Sequence, residues 1–343
     1  MSNIILRKPY GKTFTYQYPD GRTVKDSGLK RWVKSLVIPP AWTEVEISLD
    51  RDAKVFATGR DDKDRKQYIY NPAWTESAAE RKYQRILRFA ERLETMRRVT
   101  GQHIQRRPLD EKAVLACMTR MLDDAFFRPG SSAYTREHDT YGLTTLRAKH
   151  MDVGQGKVEF EYVGKSHKEQ HRTITDSKVR EVLIELEKMT GYELFDITLP
   201  DNSRRKLTAR DLNEYIAGVM GEDFSAKDFR TWAGTVLMAV ALDELGPAET
   251  EKLGKSNIVQ CVKEVAESLG NTPAICRENY IHPNVILQYE SGRTLDFFRR
   301  ELRRSRSKFV SIDEKATLKL LNYMIENKTT SSDESTTDTR KSA

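Results

Sequence analysis

The spacing of apolar residues changes near Ala78, and this change does most to limit the fold. Before it, apolar and polar residues alternate in short runs, as in Glu44-Val45-Glu46-Ile47-Ser48-Leu49 and Val55-Phe56-Ala57-Thr58. Turn-forming stretches separate the runs: Pro19-Asp20-Gly21, Pro39-Pro40 and Asn71-Pro72. A period of two sends alternate side chains to one face of a strand, so this part reads as a small β-rich domain. After it, Tyr83, Ile86, Leu87, Ala90, Leu93 and Met96 recur every three or four residues, which lines them along one face of a long helix. Val114, Leu115, Met118, Met121, Leu122 and Ala125 mark a second helix. A chain of 343 residues exceeds what one hydrophobic core ordinarily organises. The expected fold class is therefore α+β. Residues 1–76 would form the small β domain, 77–327 a larger, mainly helical domain, and 328–343 a Ser/Thr/Asp-rich tail too poor in apolar residues to order itself.

Alternation returns once inside the helical part. Val158, Phe160 and Tyr162 alternate with Glu159 and Glu161, and a polar stretch from Gly164 to Gln170 leads into His171-Arg172-Thr173-Ile174-Thr175. Two extended arms around a polar turn make a β-hairpin. Further helices follow: one through Val179, Val182, Leu183 and Leu186; one capped by Ser225 with Asp228; one through Ile258 to Leu269, ended by Gly270; and a last one from Ser311 with Glu314 through Ile325. No internal repeat is visible.

Several functions are excluded at this level. No run of about 18 apolar residues exists, so no membrane span is expected. Met1 to Tyr10 lacks an apolar signal core, so the chain is expected in the cytoplasm. Cys117, Cys261 and Cys276 are too dispersed for a disulfide framework or a Cys-based zinc site. His167 and His171 lie four apart but on a hairpin, where they read as solvated residues rather than metal ligands. Neither a phosphate-cradling Gly-rich loop nor a nucleophile elbow is present. The 58 Lys+Arg outnumber the 51 Asp+Glu, a formal charge of +7 that permits a polyanionic partner without demanding one.

What remains is a set of isolated basic residues and a tyrosine. Arg128 follows Ala125-Phe126-Phe127, Lys165 sits at the hairpin turn in Val163-Gly164-Lys165, Arg230 begins a helix in Lys227-Asp228-Phe229-Arg230-Thr231, and Tyr280 follows the Gly270-Asn271-Thr272-Pro273 break. Singly, each has an ordinary structural reading: a helix-end cap, a solvated turn, a packed phenol with its hydroxyl at the surface. Composition and spacing do not choose between these readings and a catalytic one.

The order of the segments does choose. Arg128, then Tyr141-Gly142-Leu143-Thr144-Thr145-Leu146-Arg147-Ala148-Lys149-His150, Phe160-Glu161-Tyr162-Val163-Gly164-Lys165, Lys227 through Thr231, and Leu269-Gly270-Asn271-Thr272-Pro273 with Tyr280 resemble consecutive motifs of type IB DNA topoisomerases. The bacterial and poxvirus branch is the nearest. Val37-Ile38-Pro39-Pro40-Ala41-Trp42, Thr58-Gly59-Arg60-Asp61 and Lys66-Gln67-Tyr68-Ile69-Tyr70 extend the resemblance to the N-terminal part, so that it spans roughly Val37 to Pro283. Asn271 departs from the many members that carry His there and agrees with the bacterial ones. Its role would be that of a neutral hydrogen-bond donor.

The resemblance implies a transesterification. Tyr280 would attack a DNA phosphodiester to give a 3′-phosphotyrosyl link and a free 5′-hydroxyl, which later attacks back. An ordinary phenol ionises only near pH ~10, so cationic neighbours must favour the phenolate. Arg128 and Arg230 would hold the transition-state oxygens through charge-assisted bonds, with Asn271 adding a donor. Lys165 would protonate the leaving oxygen, assisted by Arg128, with Lys227 as an accessory. Lys63, Arg65, Gln67, Tyr68, Tyr70, Tyr134, Thr145 and Lys227 are the implied contacts to double-stranded DNA. The basic run Arg299, Arg300, Arg303, Arg304, Arg306 and Lys308 reads equally as a solvated face. With arginines carrying the charge stabilisation, no metal, nucleotide or other cofactor is expected. The implied protein is a monomer whose two domains, joined near Ser77, clamp duplex DNA on the bacterial nucleoid. Two rivals stand beside it. A tyrosine recombinase shares the catalytic fold but would carry His where Lys227 and Asn271 stand, and would begin with a helical domain. A non-catalytic DNA-binding protein would have lost catalytic positions that are all filled here.

Overall fold

Alternating burial in the N-terminal runs builds a sheet rather than isolated hairpins. In the computed structural model, which describes residues 3–189, 193–199, 201–221, 224–302 and 307–323, the first unit runs to Gln84 and the second begins at Arg85. In the first unit β1 (Ile4–Tyr10), β2 (Thr13–Gln17), β3 (Thr43–Ser48), β4 (Val55–Arg60) and β5 (Lys66–Tyr70) pair antiparallel in the order β2-β1-β3-β4-β5. Helix α1 (Ser27–Ser35), capped by the Asp26 carboxylate, accompanies the sheet. Ile5, Val24, Val33, Val45, Ile47 and Ala57 form the buried core, with Trp32, Trp42 and Ile69 packed against it. Ile5, Val45, Ile47 and Ala57 are inward positions of the strands, while Val33 comes from α1 and Val24 from the segment before it.

Helix α2 (Pro72–His103) carries the chain across the division at Gln84. It starts six residues before the change of period at Ala78, because Pro72 suits a first helical turn. Beyond Arg85, the described helices are α3 (Glu111–Ala125), α4 (Ser132–His138), α5 (Ser177–Met189), α6 (Ala209–Met220), α7 (Ala226–Leu245), α8 (Glu251–Ser268), α9 (Pro273–Asn279), α10 (Pro283–Glu290), α11 (Leu295–Leu302) and α12 (312–323). Phe89 of α2 meets Phe229 of α7 edge to face at 4.9 Å and Phe224 at 5.6 Å. The expected α+β architecture is therefore present.

The expected hairpin is present and gains a third strand. In the second unit β6 (Met151–Val153), β7 (Val158–Gly164) and β8 (Lys168–Ile174) form a sheet in that order, while β9 (Asp196–Thr198) and β10 (Arg204–Lys206) make a separate pair. The turn is shorter than the sequence implied. Pairing continues to Gly164 opposite Lys168, leaving only Lys165, Ser166 and His167 outside the strands. His171 lies on β8, opposite Glu161. Ser311 and Glu314 cap α12 reciprocally, as expected; the expected helix end at Ile325 and the tail from 328 lie outside the described residues. Among the described residues, no helix is long and apolar enough to cross a membrane.

Candidate active site

The site is organised by the C-terminal end of α8. That helix ends with Gly270 at φ +64°, a left-handed conformation that glycine adopts without Cβ strain. Gly270 N donates to Glu267 O at 2.9 Å and Asn271 N to Ala266 O at 2.8 Å, the paired bonds of a Schellman turn. The turn leaves three successive carbonyls, of Ser268, Leu269 and Gly270, at the negative end of the helix. Each accepts from a different arginine: Ser268 O from Arg172 Nη1 at 2.7 Å, Leu269 O from Arg230 Nη2 at 2.7 Å, and Gly270 O from Arg128 Nη2 at 2.8 Å. A helix C-terminus favours cations, so it gathers three like charges that would otherwise repel one another.

Each arginine arrives on a rigid support. Arg128 follows the end of α3, where Phe126 takes a left-handed conformation at φ 57°. Phe127 is wholly buried, edge to face on Phe160 at 5.4 Å and stacked on Tyr162 at 6.0 Å. Burying a side chain of this kind contributes about 1.5–3 kcal/mol and anchors the loop. The loop is then pressed onto residues 141–146: Arg128 O accepts from Leu143 N and Pro129 O from Thr144 N, and a Cβ on Gly142 would come within 2.5 Å of the Gly130 Cα. Arg230 sits on the first turn of α7, where the Asp228 carboxylate accepts from Ser225 N and Ser225 Oγ as the expected cap and also pairs with Arg85 at 2.7 Å.

Tyr280 lies along the same helix. The Arg230 guanidinium is 5.2 Å from its ring centroid. One turn further on, a Cβ on Gly234 would fall 2.8 Å from Tyr280 O, and Thr235 Oγ1 donates to the same carbonyl at 3.3 Å. Helix α7 thus presents a cation, a gap and a hydroxyl to the tyrosine at helical spacing. Arg230 is 1% exposed, and burial, reinforced by Arg128, lowers its pKa from the ordinary guanidinium value.

Arg128, Arg230, Asn271 and Tyr280 are therefore brought together. Arg128 Nη2 donates to Asn271 Oδ1 at 2.6 Å. Buried donors remain without a protein partner around the cluster: Asn271 Nδ2, Arg230 Nε and Arg172 Nε. An unpaired buried donor is costly, so several of them around one arginine cluster suit a site built for an anion. Lys165 is not brought in. It is exposed on the hairpin turn, next to Ser166 (φ 64°) and His167 (φ 55°), with no hydrogen bond or ion pair to the cluster. Lys227 is also exposed, one turn before Thr231.

The expected DNA contacts separate under the structure. Tyr134 is 59% exposed on α4. Thr145 is fully buried, and its hydroxyl is committed to Gly142, donating to its carbonyl and accepting from its N–H. Thr145 thereby braces the loop beside Arg128. In the first unit, the pleat of β5 sends Lys66, Tyr68 and Tyr70 outward and turns Gln67 and Ile69 the other way. Gln67 is also not grouped with the tyrosines chemically, since its amide donates to Asp61 Oδ2 at 2.8 Å. Arg65 pairs with the same carboxylate at 2.7 Å, and the Arg65 hydrogen bond holds the Asp61 pKa at about 2. Lys63 is exposed. Tyr68, Tyr70 and Trp74 form a stacked row, with centroids 5.9 and 6.0 Å apart and Lys54 4.0 Å above Trp74. Of the late basic run, Arg299 is bound by Asp243 and Asp313 and Arg300 by Asp296; Arg303, Arg304 and Arg306 lie outside the described residues. Sequence reading missed Gln170 and Arg172. The signal was the period of two along β8, where Gln170, Arg172 and Ile174 are the less exposed positions. Among the described residues no cluster of three or more His, Cys, Asp or Glu is positioned to hold a metal.

A tyrosine faced by one buried arginine, with two more arginines on the same helix end, defines a protein suited to handling phosphodiesters. Comparison with known proteins gives the particular family. Residues 71–306 match the family model of the eukaryotic DNA topoisomerase I catalytic core, and residues 13–61 match that of the bacterial DNA topoisomerase IB N-terminal domain. The chain belongs to the type IB DNA topoisomerases. It is 29% identical to DNA topoisomerase 1B of Acanthamoeba polyphaga mimivirus over 319 residues, covering 87% of this chain and 94% of that protein. It is 22% identical to DNA topoisomerase 1B of Vaccinia virus (strain Copenhagen), covering 71% and 75%, and 24% identical to DNA topoisomerase 1 of Rabbit fibroma virus, covering 81% and 89%.

Proposed function

We propose that this chain relaxes supercoiled duplex DNA by transient cleavage of one strand, with Tyr280 as nucleophile and Arg128, Arg230 and Asn271 as the phosphate-binding set. The observation that carries this reading is one helix end that holds Arg230, which faces Tyr280, beside Arg128, which aims an Asn271 amide whose buried Nδ2 has no protein partner. The Tyr280 oxygen forms a bond to phosphorus and loses its proton to water as the bond to the 5′ oxygen breaks. The transition state gathers negative charge on the non-bridging oxygens, where fixed guanidinium and amide donors are worth most. Lys165 delivers a proton to the departing 5′ oxygen. It reaches the scissile phosphate when the hairpin turn closes on DNA, which accords with its exposed position on that turn. The 5′-hydroxyl then reverses the step, and the phosphotyrosyl bond conserves the diester energy, so no ATP is consumed.

Tyr68 and Tyr70 with Lys63 and Arg65, and Tyr134 with Lys227, are the proposed DNA-contacting groups on the two units. The protein acts as a monomer that clamps the duplex, associated with the bacterial nucleoid in the cytoplasm. The test is relaxation of supercoiled plasmid in EDTA without ATP, followed by identification of the DNA end left on the protein. Relaxation with a 3′-phosphotyrosyl end is expected. A strict need for Mg²⁺ or ATP, or a 5′-linked end, would sink the mechanism. The same assay separates the recombinase reading, which requires paired sites instead of plain plasmid.

A further inference from the structure

Gln170 lies where the arginine cluster needs an acceptor that is not an anion. Its side chain is 4% exposed. Its Oε1 accepts from Arg172 Nη2 at 3.1 Å and, over a longer 3.4 Å, from Arg128 Nη1. Its Nε2 donates to Glu169 O at 2.9 Å. The amide orientation is thereby determined, because the reverse orientation would turn an NH₂ group toward two guanidinium groups. Gln170 also fits under the turn that carries Asn271: a Cβ at Gly270 would come 2.7 Å from Oε1. One carbonyl oxygen therefore faces Arg128 and Arg172 together and occupies the space that a side chain at Gly270 would need. Burial and the nearness of Arg128 both lower the pKa of Arg172, so a carboxylate here would be attracted strongly to the cluster. A neutral acceptor aligns the same donors while leaving the full positive charge facing the phosphate.

We propose that Gln170 is a positioning residue for DNA cleavage, holding Arg128 and Arg172 at fixed spacing through an uncharged carbonyl so that neither is neutralised in the resting enzyme. This rests on the reading of Arg128 as a phosphate ligand. Two substitutions in the full chain separate its parts. Gln170→Met fills similar space without an acceptor. Gln170→Glu keeps an acceptor and adds a charge. The assay is single-turnover cleavage of a suicide duplex with enzyme in excess, with DNA affinity and thermal midpoint measured alongside.

Both variants are expected to cleave roughly tenfold or more slowly, approaching the about 10²- to 10³-fold loss of an oriented donor itself, while DNA affinity changes by only about threefold, since most affinity comes from backbone contacts elsewhere. The charge argument makes a second demand. On a duplex whose scissile linkage is a neutral methylphosphonate, the deficit of Gln170→Glu relative to the unsubstituted enzyme should shrink severalfold, because less charge then develops for the arginines to stabilise. A packing defect would persist on both substrates. Cleavage at the unsubstituted rate by Gln170→Glu, or an equal deficit on both substrates, overturns the proposal. Should Gln170→Glu not fold, Gln170→Met decides: slow cleavage with retained DNA affinity supports the proposal, and the unsubstituted rate overturns it. Arg128→Ala is assayed in parallel. If it cleaves normally the underlying reading of the site fails, whereas if it is impaired and the Gln170 variants are not, only the present inference fails.

Discussion

Arg128 donates from Nη2 to the side-chain oxygen of Asn271 at 2.6 Å, and that bond decides which end of the amide is left for a ligand. With Oδ1 occupied, Nδ2 is the free end, and it is buried without a partner. Asn271 therefore acts as a neutral donor aimed by an arginine. Asn271→Asp keeps the acceptor for Arg128, removes the donor and adds an anion. It is expected to slow cleavage by about 10²- to 10³-fold, the range for losing an oxyanion donor. Stopped-flow or quench measurement of covalent adduct formation at saturating enzyme checks this. Cleavage within a factor of about three of the unsubstituted enzyme would remove Asn271 from the phosphate-binding set.

Tyr280 contacts α7 through its backbone carbonyl, its ring and a hydroxyl that bonds Arg230; removing the hydroxyl gives up that one bond and keeps the ring and carbonyl packing. Tyr280→Phe is expected to bind DNA and to melt at the same temperature, yet to form no covalent adduct and relax no plasmid. Adduct formation by this variant would reassign the nucleophile.

Lys165 stands apart from the arginine cluster on an exposed turn, which suits a group that engages only when DNA is bound. Lys165→Ala is expected to slow cleavage by about 10²- to 10⁴-fold, the usual worth of a general acid. A substrate with sulfur in the 5′ bridging position leaves as a thiolate that needs no proton, and on it most of the deficit should disappear. A deficit of equal size on both substrates would show that Lys165 acts otherwise than as an acid.

Arg97 holds α2, α3 and α12 together at a distance from the chemistry. It bonds Asp123 at 2.6 and 2.9 Å and both oxygens of Glu314 at 2.8 Å, and Trp232 Nε1 donates to Glu314 Oε1 at 3.3 Å. Burial alone would raise the Glu314 pKa, but the bonds from Arg97 outweigh it and hold the carboxyl below its ordinary value. A pKa that is depressed in the folded state contributes stability above the unfolded value, about 4.3 for Glu, and this is lost as pH falls through the folded value. Glu314→Gln is expected to cost about 2 kcal/mol at pH 7, the scale of a hydrogen bond to a charged group. Urea unfolding at pH 7 and pH 3.5 tests it: the gap between variant and unsubstituted protein should narrow at the lower pH.

Much of the fold could be read from periodicity because burial on one face of a strand or helix leaves a local imprint. The alternation of Val45 and Ile47 gave the sheet, and that of Val158, Phe160 and Tyr162 gave the hairpin. The turn at 165–167 was overestimated because polar residues such as Lys168 and Glu169 pair in a strand as readily as they form a loop. Gln67 was grouped with Tyr68 and Tyr70 because adjacency in sequence hides the pleat, which sends neighbours to opposite faces. The motif around Thr145 does not reveal that the loop folds inward and bonds its hydroxyl to Gly142, because that bond depends on the local fold of the loop.

By itself the sequence determined the two compositions of the chain, the position of the hairpin, and the set of Arg128, Arg230, Asn271 and Tyr280 that resembles a known family. Tertiary structure decided how these groups are held. Three arginines distant in sequence, Arg128, Arg172 and Arg230, meet on three consecutive carbonyls of one helix end. No local pattern encodes that meeting, because the force that assembles it is the field of an α8 terminus whose position depends on every element packed around it.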